Sequence, residues 1–138
     1  MRTNLSLRDA TVQEIQLELL RRTSHNALNG EKVYASLTKH RELWRSALLD
    51  RPGVADYTAP RTLFMLGLIK LRDLPHNDWN ADTLFILTDT MAKAKKMARI
   101  AKEESWAGEI RLYENRQEMD RALGGYDDEY GLLSIWWD

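Results

Sequence analysis

Residues 83–138 read TLFILTDTMAKAKKMARIAKEESWAGEIRLYENRQEMDRALGGYDDEYGLLSIWWD. Three apolar runs stand out in this stretch: TLFILT (83–88), EIRLYE (109–114) and GLLSIWW (131–137). An Ala/Lys-rich helical segment separates the first two, and a shorter helical segment separates the last two. Strand–helix–strand alternation predicts a parallel sheet, because each helix returns the chain to the edge where the previous strand began. In the second run Ile110 and Leu112 alternate with Glu109, Arg111 and Tyr113, which predicts a strand with one less buried face, at a sheet edge. Among these three strands the order 2-1-3 or 3-2-1 fits, and the edge character of the second favours 2-1-3.

Upstream, LPHNDWN (74–80) is a polar connector and the expected boundary of this unit. The residues before it read as helices. Thr11 and Glu14 form a capping-box pattern, followed by an apolar stripe of Val12, Ile15, Leu19 and Leu20 at helical spacing. Asn29-Gly30 marks a turn. A second helix is predicted over 31–49, with Val33, Leu37, Trp44 and Leu48 on one face, ended by Asp50-Arg51-Pro52-Gly53. A third is predicted from about residue 58, although its apolar run over 60–72 also reads as a strand. The expected architecture is therefore a single α/β domain over 1–138. A helical segment (1–75) precedes a βαβαβ unit (76–138), whose small, three-stranded, mainly parallel sheet is covered by helices.

The 138 residues are 43% hydrophobic and 30% charged, an ordinary globular balance, and include no cysteine. Disulfides and thiolate metal sites are thereby excluded. The N-terminal MRTNLSLRDATVQ has no signal-peptide apolar run, and LFMLGLI (63–69) is too short to span a bilayer, so a cytoplasmic location is expected. The net charge of −1 hides an asymmetry. Residues 1–75 hold 12 Lys/Arg against 8 Asp/Glu, while residues 76–138 hold 8 against 13.

Parallel sheets bind ligands at the C-terminal ends of their strands. Asp89, Asn115 and Asp138 follow the three strands and would meet at one such edge, where carboxylates could hold Mg²⁺ or a phosphate ester. The competing reading of Asp89 and Asn115 is helix capping. No glycine-rich phosphate loop follows the first strand, which argues against dinucleotide and P-loop chemistry. His25, His40 and His76 belong to no metal-ligand pattern, there is no nucleophile elbow, and no cofactor is expected. Arg21, Arg22, Lys32, Lys39, His40, Arg41 and Arg45 offer a basic helical face to nucleic acid, but Glu14, Glu18, Glu31 and Glu42 interrupt it.

The acidic aromatic tail is the more informative surface. Tyr126 and Tyr130 flank Asp127-Asp128-Glu129, and Trp136 and Trp137 must point to opposite faces of a strand. Aromatic residues among acids suit a partner with a basic surface. The leading expectation is a non-enzymatic, cytoplasmic protein-interaction module of regulatory, adaptor or toxin-neutralising type. Its interface would be Tyr126, Asp127, Asp128, Glu129, Tyr130, Trp136 and Trp137, and its partner a basic protein or a second copy. The alternative is a small-molecule or nucleotide site at Asp89, Asn115 and Asp138. The third reading is nucleic-acid binding by the first two helices.

Overall fold

The computed structural model describes residues 4–51 and 68–138. Within them the chain forms α1 (Val12–Arg22), α2 (Gly30–Lys39), a 3₁₀ turn (Arg41–Leu43) and β1 (Ser46–Asp50). It continues through α3 (Ile69–Asp73), a second 3₁₀ turn (Leu74–His76), β2 (Thr83–Thr88), α4 (Met91–Glu103), β3 (Glu109–Leu112), α5 (Arg116–Ala122) and β4 (Gly131–Trp136). The sheet order is β1-β2-β4-β3 and every neighbouring pair is antiparallel.

The molecule is α/β, but the expected three-stranded parallel sheet is overturned on three counts. First, β1 arises inside the stretch predicted as helix over 31–49. The helix stops at Lys39, where His40 takes a non-helical ψ of 36° as C-cap. Ser46–Asp50 then alternates, with Ala47 and Leu49 buried and Leu48 exposed. Second, the connection over 113–130 is not a crossover. α5 has only seven residues, and the eight-residue return over 123–130, turning at Gly124 (φ 75°) and Gly125 (φ 94°), brings the chain back to the end it left. β4 therefore runs antiparallel beside β3. Third, β4 sits between β2 and β3, so among the three predicted strands the last is central, not the first. β3 does occupy an edge. Most of the third predicted helix lies outside the described residues; Ile69–Asp73 is helical.

One sheet face carries Ala47, Leu49, Leu84, Ile86, Leu133 and Ile135, all buried beneath α1, α2 and α4. Each helix starts on a side-chain cap: Thr11 with Glu14 in the predicted box, Asn29 on α2 and Thr90 on α4. The small-residue face of α4 (Ala94, Met97, Ala98, Ala101) allows close approach to the sheet. Gly131 is a point of tight fit between α4 and β4, because a Cβ there would stand 2.5 Å from the Thr90 carbonyl oxygen and 2.8 Å from the Ala94 Cβ. Among the described residues no helix is long and apolar enough to cross a membrane.

Candidate functional site

The second sheet face is only partly covered by the described residues. At the end where β4 begins, α5 lays Met119 over Tyr130 and Leu132, with Leu87, Tyr113, Leu123 and Tyr126 around them. At the opposite end none of the described helices packs on the same face. Arg51, Asp82, Thr83, Phe85, Glu109, Arg111, Tyr113, Ser134 and Trp136 line a shallow depression of about 420 Å³. Trp136 is 41% exposed and Leu48, beside Phe85 on β1, is 43% exposed.

Hydrogen bonds tie the floor together. The Trp136 indole N–H donates to the Asp82 carboxylate at 3.1 Å, and the Thr83 hydroxyl donates to its other oxygen at 2.8 Å. Asp82 is itself buried, so the indole is anchored from beneath. Tyr113 and Ser134 hydroxyls share a hydrogen bond at 3.0 Å. The Arg111 guanidinium lies 4.7 Å from the centre of the Tyr113 ring. Trp136 also walls a second depression of about 440 Å³, shared with Trp106, Gly108 and Asp138.

The residues nominated from the tail separate. Trp136 is exposed, but Trp137 is buried at 3% and donates its indole N–H to the Trp106 carbonyl at 3.0 Å. Tyr130 is buried, and its hydroxyl donates to Asp120 at 2.8 Å; burial first, then Asp120, pushes the phenol pKa up. Asp127, Asp128 and Glu129 are exposed at the far end of β4 from Trp136. Their loop is fastened by Arg116, which donates to the carbonyls of Tyr126 (3.2 Å) and Asp128 (2.8 Å) and stacks on Tyr130. Arg45 approaches Asp128 at 3.8 Å. Asp127 and Glu129 have no ion-pair partner among the described residues.

Asp89, Asn115 and Asp138 are not brought together. β4 runs opposite to β2 and β3, so Asp138 lies at the other end of the sheet, where its carbonyl accepts from the Ala27 N–H. Asn115 caps α5 by accepting from the Glu118 N–H, as the capping reading requires. Asp89 is not the cap of α4; it pairs with Lys93 (3.0 Å) and Arg45 (2.7 Å), which hold its pKa below the usual carboxylate value. Among the described residues no group of three or more His, Asp or Glu could hold a metal ion.

The basic helical residues mostly have partners within the chain. Arg21 and Arg22 bind Glu18, and Arg21 also reaches Glu31. Arg41 stacks on Trp44 at 3.9 Å and donates to the Trp44 carbonyl. His40 and Glu104 join the ends of α2 and α4 at 2.7 Å, a contact that lowers the Glu104 pKa. Sequence reasoning missed the floor because Phe85, Arg111 and Ser134 lie on three strands whose order it misjudged, with Asp82 just before the first of them. The available signal was alternation: Thr83, Phe85, Ser134 and Trp136 share one parity each with the polar face of β3. No family model, no curated protein and no solved structure matches this chain.

Proposed function

We propose that this protein is a binding module that docks a segment of a partner protein on the open half of its second sheet face, with Trp136 as the anchor. The observation that supports this is the exposed Trp136 ring held in one pose by a buried carboxylate, at the rim of a wide and shallow floor. Small molecules favour enclosed clefts that bury most of their surface. A broad floor with Trp, Tyr and Arg side chains carries the residue types that dominate protein–protein contacts. Fixing the indole before binding also reduces the ordering cost of association. The absence of cysteine fits a reducing compartment such as the cytoplasm.

A second reading is favoured by one specific observation. Asp127 and Glu129 project from a loop stapled by Arg116 and have no cationic partner among the described residues, which suits a basic partner. The two are separated by panning a displayed random-peptide library against the intact chain. For docking on the floor, Trp136→Ala weakens the enriched peptides on the order of tenfold or more, the loss typical of a central anchor. Reversal of Asp127, Asp128 and Glu129 to Lys leaves them bound. Peptides that ignore Trp136→Ala and respond to the charge reversal overturn the first reading in favour of the second. Failure to enrich any peptide overturns both.

A further inference from the structure

We propose that the free edge of β3 pairs with β3 of a second copy of this chain, giving a two-fold dimer with a continuous antiparallel sheet. The inference does not depend on what occupies the floor. Among the described residues β3 hydrogen-bonds only to β4. The Tyr113 N–H donates to the Leu132 carbonyl, so Tyr113, Arg111 and Glu109 point their backbone groups at β4. By the alternation of an antiparallel ladder, the N–H and C=O of Ile110 and Leu112 point away from it. No group of the described residues bonds them. On the helix-covered face the Ile110 and Leu112 side chains are only half-buried. An added strand would satisfy the backbone groups and cover the side chains together.

The charges on the other face choose the occupant and the register. Glu109 and Arg111 are both exposed, and neither has an ion-pair partner among the described residues. If two β3 strands pair antiparallel with Ile110 opposite Ile110, the outward backbone groups meet and Glu109 comes opposite Arg111 twice. A shift to Arg111 opposite Arg111 would bring like charges together. β3 is therefore complementary to itself in one register. The other sheet edge cannot continue the assembly, because the Gln13 side chain already occupies it at Ala47. Association stops at two copies instead of running on as a filament.

The experiment is sedimentation equilibrium of the full chain across a wide concentration range, on wild type, Glu109→Arg, Arg111→Glu and the double swap. Both sites are exposed, and circular dichroism confirms that each variant is folded. Wild type is expected to show a concentration-dependent dimer. Each single variant weakens it on the order of tenfold, since two opposite-charge pairs become like-charge pairs, and the double swap restores it. A wild type that stays monomeric throughout overturns the proposal. So does either single variant that associates like wild type, or a double swap that stays as weak as the singles.

Discussion

At the β1 edge of the sheet, Gln13 of α1 gives both amide atoms to one backbone residue. Its Nε2 donates to the Ala47 carbonyl at 2.8 Å, and its Oε1 accepts from the Ala47 N–H at 2.9 Å. Nearby the Trp79 indole N–H reaches the Leu49 carbonyl at 3.3 Å. At the β3 edge the equivalent groups of Ile110 and Leu112 meet no such side chain among the described residues. One edge is finished by the fold itself, and the other is left able to pair. Among the described residues the two sheet faces differ in the same way, one sealed by three helices and the other half-covered by α5. The open edge and the open floor adjoin through Glu109 and Arg111.

The largest test of this asymmetry uses two neighbouring tryptophans. Trp137→Ala empties a sealed core position and should cost about 3–5 kcal/mol in urea unfolding. Trp136→Ala removes a half-exposed ring from the open face and should cost clearly less, within the range of ordinary substitutions at about 1 kcal/mol. Equal losses would mean that the second face is as sealed as the first. Next in size is Gln13→Ala. It strips both partners from the Ala47 backbone, which is 7% exposed, and should cost about 1–3 kcal/mol by the same measurement. A smaller change is expected for Glu109→Arg, within about 0.5 kcal/mol in unfolding of the dilute monomer, because the side chain is exposed and no described residue pairs with its charge.

The smallest effect concerns pH and lies on the sealed side. Hydrogen bonds from Arg21 hold the Glu18 carboxyl at about 2, below its ordinary 4.5. A lowered pKa in the folded state favours the ionised form, so its contribution is complete above about 4.5 and is lost as pH falls towards 2. The pair is partly exposed, and its share should be about 0.3–0.5 kcal/mol. Comparing the pH dependence of unfolding for wild type and Glu18→Gln checks this. A variant that keeps the full acid sensitivity would assign it elsewhere, Asp73 being held equally low by Arg72 and Asn80.

Local signals in the sequence were legible where one short-range force decides the outcome. The Thr11–Glu14 box, the Asn115 cap and the Gly124-Gly125 turn all form as spacing requires. β3 could be placed at an edge from the alternation of its own residues. What could not be read was set by distant partners. Trp44 and Leu48 fit the stripe of α2, yet Trp44 is buried beyond the helix end, with its indole donating to the Leu37 carbonyl. Strand direction depended on whether residues 123–130 retraced the path of α5, which no periodicity encodes. Once β4 reverses, Asp138 leaves Asp89 and Asn115, and the candidate carboxylate cluster goes with it. The site at Trp136 was half legible, because two adjacent tryptophans in a strand must face opposite ways. Which one is exposed needed the position of α5.

Residue-resolved amide hydrogen exchange, followed by NMR at low and high protein concentration, tests the contrast between the edges most directly. The account predicts slow exchange at Ala47 at both concentrations. At Ile110 and Leu112 it predicts fast exchange in dilute solution and marked slowing on concentration, while Arg111 stays protected throughout by β4. Ile110 and Leu112 as protected as Arg111 in dilute solution, or an Ala47 amide that exchanges freely, would contradict it.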